Sequence, residues 1–538
     1  MVRTPTADEF AALQQALAEA TRRGEALAGE LRVVRTERDL LKEQLNKFKR
    51  QLFAAKSEAG GLHQKDLFFN EAEVEGAKAQ PAAEESEDGK VDVPAHKRAK
   101  RGRKPLDPAL PREVVRHELP EGARVCPHDG AALREIGVQV SEQLDIVPQQ
   151  VRVIRHERVK YACPCCDGGM RIAARPAQVI PKGLLSEAAL AWVITAKYLD
   201  GLPLYRQAAL LARFGGSDTS RNTLAASVVR VGQSVQPVVN LLRDALLDSP
   251  IVFGDETELQ VLKEPGRKAQ TKSYMWAQMT ETSGLDGTGP PIRLFAYSPS
   301  RGTQTARTLY AGIRHAGVLM SDGYDPYNAI AQEHQLVHLG CWAHCRRYFH
   351  DALQALPKDK RGPDQLPVRF LELIGRLYHV EAEARRAQLD AQARKHERQQ
   401  HSVPVLKEIE ALLLRHLHGV LPDSLLGKAL HYMSGQWSKL VRYVDDGTYP
   451  IDNNACENAI RPFVVGRRAW LFADTVAGAN ASANLYSLLQ TCQVNGIDGY
   501  RYLTALLTAL PHAKTVEDYE ALLPWRIALI ERRSDGQH

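Results

Sequence analysis

The sequence predicts a multidomain α/β protein, in which a core built on a mixed β-sheet carries a helical insertion and follows three smaller regions. Three observations lead to this prediction. A heptad pattern marks residues 1–58, four cysteines lie between residues 126 and 166, and segments rich in Val, Ile, Tyr and Phe begin at residue 249. At 538 residues the chain exceeds what one hydrophobic core supports, so several domains are expected.

The composition is that of an ordinary globular protein, with 25% charged residues, 44% apolar residues and a net charge of +6. This charge permits binding to nucleic acid but does not by itself predict it. There is no run of 18 apolar residues and no hydrophobic segment of a secretory signal at the N-terminus, so we expect a cytoplasmic protein without a membrane span.

Residues 1–58 are predicted to form a leucine-zipper-like coiled coil. With position a at residue 10 and position d at residue 13, eleven of thirteen seam positions are apolar, and only Gly24 and Arg38 interrupt them. A narrow apolar seam with charged flanks favours self-association, so we expect a homo-oligomer. The alternative is a single amphipathic helix that lies on another domain.

Residues 59–110 are predicted to be a disordered linker whose charge changes from acidic to basic. Residues 71–95 hold eight acidic residues against two lysines. Six basic residues then follow, and we consider them candidate DNA contacts: Lys97, Arg98, Lys100, Arg101, Arg103 and Lys104. The Gly between Arg101 and Arg103 would fit insertion into a narrow minor groove. Contact with phosphates is the less specific and favoured interpretation.

Residues 111–180 are predicted to bind a structural zinc ion. Cys163 and Cys166 form a C-x-x-C pair, and Cys126 lies 37 residues before the first of them. A tetrahedral zinc site needs four ligands, usually two from each of two such pairs. The fourth ligand stays open between Asp129, which has the matching spacing, and His128, which is the better zinc ligand. A zinc-free remnant that packing stabilises is the alternative.

Residues 181–248 are predicted to be helical, with the outline of a helix-turn-helix. A Gly-Gly break at 215–216 separates two helical patterns, and Ser220 is a cap residue for the second. Arg221, at the start of that helix, is a candidate DNA contact. A helical hairpin without a role in DNA binding is the alternative.

Residues 249–475 are predicted to form the mixed-sheet core, and residues 476–538 a helical C-terminal region. The strand candidates are 249–262, 272–280, 291–300, 317–324 and the start of 335–353, with a helix at about 303–311 and the helical insertion at about 350–445.

In two of these strand candidates an apolar run leads into an aspartate, which we expect to end the strand: IVF leads through Gly254 into Asp255, and VLM leads through Ser321 into Asp322. An acid at the end of a buried strand is costly unless it is paired, hydrogen-bonded or bound to metal, and open sheets bind their ligands there. Either aspartate alone is explained more simply as a turn or cap residue. Together with Glu457, near the start of a predicted helix, they favour a site for Mg²⁺ or Mn²⁺, because these cations prefer oxygen ligands.

Over nearly its whole length the chain resembles the large Asp-Asp-Glu transposase of insertion-sequence family 66. The motifs that carry the resemblance are SEQLDIVPQQVRVIRHERVKYACPCC at 141–166, GDET at 254–257, SDGY at 321–324, CWAHCRRYF at 341–349, PIDNNACENAIRP at 450–462 and SLLQTCQVNGID at 487–498. In place of the family's paired cysteines, Cys126 is followed by His128 and Asp129.

The resemblance implies an RNase H-like catalytic core in which Asp255, Asp322 and Glu457 bind a pair of Mg²⁺ or Mn²⁺ ions and catalyse DNA cleavage and strand transfer. It implies the terminal inverted repeats and target DNA as partners, with companion proteins of the same element. Two alternatives are a DNA-binding regulator or inactive remnant, and a nuclease of the same fold that does not join strands.

Other residues within these motifs are weaker candidates. Glu256 should point away from the face that carries Asp255, so a supporting or surface position is favoured over a ligand. His344 and Arg461 could position phosphates, but a packed histidine and a solvated arginine are equally good explanations. Cys341, His344 and Cys345 have the spacing of metal ligands, yet packing is favoured because the family implies no metal there.

Overall fold

The computed structural model describes residues 176–529 except 215–218, together with residues 15, 19–24, 27, 151, 153–157, 160–162 and 170–172. All but a few positions of the predicted coiled coil lie outside the described residues. So do the linker with its six basic residues and all five candidate zinc ligands, Cys126, His128, Asp129, Cys163 and Cys166. The expectations for these regions therefore stay predictions.

Four helices precede the sheet: α1 (Glu187–Tyr198), α2 (Leu204–Arg213), α3 (Arg221–Ser234) and α4 (Gln236–Leu247). Ser186 and Ser220 cap α1 and α3, because each hydroxyl accepts a hydrogen bond from a backbone N–H in the first turn. The α2–α3 hairpin is the predicted helix-turn-helix outline. Its second helix packs tightly on a later helix, since a Cβ at Gly232 would lie 2.4 Å from that of Ala481.

All five strands predicted for the core are formed. A short hairpin of β1 (Lys160–Ala162) and β2 (Met170–Ile172) comes first, followed by β3 (Ile251–Lys263), β4 (Lys272–Thr280), β5 (Ile292–Ser298), β6 (Val318–Ser321), β7 (Val337–Gly340) and β8 (Ala473–Thr475). The large sheet has the order β5-β4-β3-β6-β7. β3, β4 and β5 are antiparallel neighbours, whereas β6 and β7 run parallel to β3, and β8 pairs with its far end.

The remaining helices lie between the strands and after them. They are α5 (Thr303–Leu309), α6 (Asp325–Glu333), α7 (Trp342–Ala355), α8 (Leu366–Arg386), α9 (Ala391–Glu397), α10 (Val403–His416), α11 (Leu425–Leu440), α12 (Asn454–Trp470), α13 (Val476–Val494), α14 (Gly499–Ala509) and α15 (Val516–Glu520). A π-helical turn, Arg398–Ser402, joins α9 to α10. In the part of the chain described, none of these helices is long and apolar enough to span a bilayer.

Two hydrophobic cores organise these elements. The first joins the sheet to α1, α3, α4, α12, α13 and α14, and the second, around Phe349, Phe370 and Ile409, lies within α7 to α11, here called the helical segment. On the outer strand β5, the hydroxyl of Thr491 in α13 accepts from the N–H of Arg293 (3.1 Å), and that of Ser487 accepts from the N–H of Phe295 (2.8 Å). These bonds cover a strand edge that would otherwise be open to pairing.

Candidate active site

Asp255 and Asp322 come together because β3 and β6 are parallel neighbours. The register pairs Phe253 with Met320, so the two aspartates, each two positions further along, are level with one another. Side chains alternate along a strand, and both aspartates therefore belong to one face of the sheet. The distance of 67 positions that separates them in sequence is the same offset that separates the paired residues of the two strands.

A tight turn holds Asp322 at the end of β6. Its Oδ1 accepts a hydrogen bond from the N–H of Tyr324 (3.0 Å), and its carbonyl accepts one from the hydroxyl of Tyr432 in α11 (2.6 Å). Gly323 has a φ of +90°, and a Cβ there would lie 2.7 Å from Cδ of Gln436, also in α11. The helical segment therefore supports the turn that carries this carboxylate.

Glu457 reaches the same place from the first turn of α12. The amide of Asn453 donates to the carbonyl of Gly254 on β3 (3.1 Å), and the thiol of Cys456 lies 3.7 Å from the carbonyl of Ala277 on β4. Because Ala277 pairs with Asp255 across the two strands, these contacts fix the start of α12 over the aspartates. The side chain of Glu457 is 5% exposed.

Two side chains of α7 contact the Glu457 carboxylate. Nη2 of Arg347 donates to Oε2 (3.0 Å), and Nδ1 of His344 lies 3.3 Å from Oε1. Neither Nδ1 nor Oε1 has a hydrogen bond, although both atoms are buried. Burial lowers the pKa of His344, and the neighbouring Glu457 opposes that shift. Sequence reasoning missed Arg347, which lies three residues after His344 and so on the same helix face.

The carboxylates repel one another electrostatically. Burial raises the pKa of Asp255 well above its ordinary value, and the charges of Asp322, Glu457 and Glu256 raise it further. Only the N–H of Glu256 (2.8 Å from Oδ1) opposes the shift. This group of like charges, in which Glu457 is buried and Asp255 and Asp322 are half-buried, fits a divalent cation. A cation would remove the repulsion and give Oε1 of Glu457 the partner that it lacks.

Glu256 is buried beside this group instead of lying at the surface. Its carboxylate accepts from Arg301 (2.8 Å) and from the hydroxyl of Tyr327 (2.8 Å), and its side chain is 4% exposed. Burial, followed by the charge of Asp322, raises its pKa. The sequence left two alternatives for Glu256, a surface position and a position that supports the site. The burial of its side chain excludes the first and favours the second. Arg301 stacks on Tyr324, with the guanidinium 3.9 Å from the ring centre.

Of the three residues with metal-ligand spacing, Cys341 and His344 stay close together in the structure and Cys345 lies apart from them. Cys345 points into the second hydrophobic core, as the packing interpretation expects. Cys341 is buried beside α12, where its sulfur accepts from the N–H of Asn453 (3.2 Å). The sulfur of Cys341, a ring nitrogen of His344 and a carboxylate oxygen of Glu457 lie within 4.8 Å of one another. Burial raises the pKa of the Cys341 thiol, and Asp452 and Glu457 add to that shift.

Two of the candidate DNA contacts lie within the described residues. Arg221 is exposed as the first residue of α3, and Arg461 is half-buried on α12, one turn after Glu457. The hairpin that carries Arg221 packs on α13 through Asn484, whose amide donates to the carbonyl of Gly232 (2.8 Å).

Comparison of the sequence with models of known protein families shows which family the chain belongs to. The sequence model described as "Transposase IS66 family" matches residues 182–481, which hold all three carboxylates. The chain belongs to the IS66 transposase family. Three further models of IS66-type elements match around this range: "Transposase C of IS166 homeodomain" at 40–115, "zinc-finger binding domain of transposase IS66" at 123–167 and "IS66 C-terminal element" at 487–525. The zinc-finger match spans all five candidate zinc ligands.

Curated relatives of this IS66 family member come from Sinorhizobium fredii (strain NBRC 101917 / NGR234) and are described as uncharacterized proteins. Protein y4qI is 34% identical over 80% of this chain and 78% of its own length, and y4jD is 32% identical over 77% and 81%. Protein y4hP is 28% identical over 90% of this chain and 88% of its own length. No solved structure matches the chain significantly.

Proposed function

We propose that this IS66 family member cuts the ends of its insertion sequence and joins them to target DNA, with Asp255, Asp322 and Glu457 as the metal-binding catalytic triad. The observation that carries the proposal is the convergence of three carboxylates from β3, β6 and α12 on one face of the sheet. Cleavage by water and joining by the freed 3′-hydroxyl are both phosphoryl transfers, so one site serves both steps.

The sheet supports an RNase H-like core. An antiparallel meander of three strands, continued by two strands parallel to the first of them, gives the order β5-β4-β3-β6-β7. In this arrangement the first and fourth strands of the core are neighbours, and Asp255, within β3, is level with Asp322, which directly follows β6. In the chain, the helical segment lies between β7 and α12. Glu457 therefore comes from a helix that follows this insertion, and not from a strand of the sheet.

The three carboxylates would hold the divalent ions, and the surrounding side chains would keep them in position. Mg²⁺ or Mn²⁺ held there would help to activate the attacking oxygen and to stabilise the leaving one. Tyr432 and the turn at Gly323 fix Asp322, while Asn453 fixes the start of α12. Arg347, which is 40% exposed, contacts Glu457 and would face the DNA backbone at the same site.

Other regions would recognise DNA and assemble the complex. The basic run at 97–104, the zinc region and Arg221 on the α2–α3 hairpin would bind the terminal inverted repeats, and the first 58 residues would join protomers through a coiled coil. Zinc would be held by Cys126, Cys163, Cys166 and either Asp129 or His128. Companion proteins of the same element would take part in transposition.

The role of the first 58 residues can be tested by deletion. A protein without residues 1–56 should be a monomer by light scattering, and an unchanged oligomer would place the assembly contacts elsewhere.

The direct test is a cleavage and strand-transfer assay on the element's own ends with Mg²⁺ or Mn²⁺, comparing the wild type with Glu457→Gln. Glu258→Gln is the matched control, because Glu258 lies on β3 but is exposed and pairs with Lys272 at the surface. We expect Glu457→Gln to bind the ends and lose cleavage, while Glu258→Gln cleaves as the wild type does.

Other results would point to the alternatives. A wild-type protein that binds ends and never nicks, with any companion proteins supplied, is a regulator or an inactive remnant. Nicking without joined products would indicate a nuclease of the same fold. Equal cleavage by the wild type and Glu457→Gln would remove the glutamate from the site.

A further inference from the structure

We propose that Cys341, His344 and Glu457 form a second metal site, which takes zinc or a similar transition ion and lies beside the carboxylate triad. The three donor atoms lie within 4.8 Å of one another, a spacing that one ion can bridge. Cys341 precedes α7, His344 lies in the first turn of that helix, and Glu457 lies in the first turn of α12. Two helix starts thus converge on one point.

Unsatisfied buried atoms indicate that something binds between them. Nδ1 of His344 and Oε1 of Glu457 are buried and 3.3 Å apart, and neither makes a hydrogen bond. A buried polar atom without a hydrogen-bond partner destabilises the fold, and a charged one does so more strongly. An ion in contact with both atoms would remove this destabilisation, whereas the remaining oxygen of the carboxylate is already held by Arg347.

The donor set selects the kind of ion. A thiolate, an imidazole and a carboxylate suit zinc, whereas Mg²⁺ and Mn²⁺ prefer oxygen ligands alone. Three protein ligands leave a fourth tetrahedral position open. Binding forms a metal–sulfur bond and breaks the S–H bond of Cys341, whose proton leaves to solvent. The N–H of Asn453, which already donates to this sulfur, would stabilise the resulting thiolate.

The second site would share Glu457 with the first. If the proposed function holds, zinc bound to Cys341 and His344 withdraws Glu457 from the catalytic ions, so zinc should inhibit cleavage in competition with Mg²⁺. This regulatory consequence rests on the proposed function, but the existence of the site does not.

Metal counting on the full-length chain tests the site without any need for catalysis. Zinc bound per chain is measured by atomic emission after dialysis against zinc, for the wild type, Cys341→Ala and Cys345→Ala. Cys345 is the matched control because it is a buried cysteine four positions further along the chain, in α7 and in the second core. The zinc-finger region at 123–167 contributes equally to all three proteins. We expect Cys341→Ala to bind about one zinc fewer than the other two.

A second measurement keeps the test decisive if Cys341→Ala folds poorly. Substitution with Co²⁺ gives a thiolate-to-cobalt absorption band for each bound cysteine, and circular dichroism reports folding. Glu457→Gln should lose the extra metal while keeping its helix content. Equal metal content in the wild type, Cys341→Ala and Glu457→Gln would overturn the site, as would equal losses in Cys341→Ala and Cys345→Ala. A chain that never cleaves DNA, but whose cobalt band decreases in Cys341→Ala and not in Cys345→Ala, would refute the proposed function alone.

Discussion

The two hydrophobic cores differ in whether a carboxylate is paired with a cation of the same chain. In the helical segment, Glu381 on α8 is matched by Arg398 in the π-helical turn, with Nε to Oε1 at 2.7 Å and Nη2 to Oε2 at 2.8 Å. In the sheet core, Asp255 is half-buried beside Asp322, Glu457 and Glu256, and desolvation followed by these like charges raises its pKa. One carboxylate has its cation built into the chain, whereas the other lacks one.

This difference separates a structural ion pair from a binding site. Arg398 also donates to the carbonyls of Tyr443 (2.7 Å), Asp446 (2.6 Å) and Tyr449 (3.0 Å), so it anchors the chain that leads into α12. At the sheet site, Arg301 contacts Glu256 and Arg347 contacts Glu457, whereas no salt bridge among the described residues joins Asp255 or Asp322 to a cation. Unbalanced buried charge of this kind is typical of sites that bind a metal or an ionic substrate.

The largest expected effect comes from Asp322→Asn in the sheet core. The variant keeps the size of the side chain and removes the charge, so cleavage of the element's ends should fall by about a thousandfold. The exposed Asp325, three residues further at the start of α6, gives the control variant Asp325→Asn, which should cleave normally. Single-turnover cleavage with Mg²⁺ measures both, and normal cleavage by Asp322→Asn would remove this residue from the site.

In the helical segment the same comparison predicts a loss of stability. Arg398→Ala leaves Glu381 buried without its cation, which should lower the free energy of unfolding by about 3–5 kcal/mol. Arg376→Ala breaks an equally close arginine–glutamate pair, with Glu408, in which both side chains are about half exposed. That loss should be at most about 1 kcal/mol. Urea unfolding followed by circular dichroism distinguishes the two, and similar losses would mean that burial does not decide the strength of the pair.

Binding of a divalent cation should offset the destabilisation that ionised Asp255 causes in the sheet core. Because burial and neighbouring charges raise the folded-state pKa of Asp255, its contribution to stability is present at low pH and is lost as pH rises through that raised pKa. At neutral pH without divalent ions, Asp255→Asn should therefore unfold at a higher temperature than the wild type. Mg²⁺ at a hundred times its Kd should stabilise the wild type by about 2.7 kcal/mol and leave Asp255→Asn unchanged. An equal response of both proteins would contradict a site at Asp255.

The sequence carried more information about the fold than about the site. Strands β3 to β7 were predictable because apolar, β-branched and aromatic residues concentrate in short runs. Asp322 directly follows β6 as expected, but the prediction that Asp255 ends a strand is wrong, because β3 continues to Lys263 through its pairing with β4. The contacts of Glu457 were not predictable, since Arg347 and Cys341 lie more than a hundred positions away and reach it only through packing of α7 on α12. Strand alternation alone also left open whether Glu256 is buried, which depends on Arg301 and Tyr327 from other elements.

The smallest predicted effect tests how far the helical segment controls the sheet site. Gly323 and Gly312 both have a positive φ, +90° and +89°, but a Cβ would contact Gln436 only at Gly323. Each Gly→Ala change should destabilise the chain by about 1 kcal/mol through backbone strain alone. Gly323→Ala should also weaken cleavage, because a displaced Gln436 disturbs the turn that holds Asp322, whereas Gly312→Ala should not. Equal cleavage by the two variants at equal stability would mean that α11 packs beside the aspartate without positioning it.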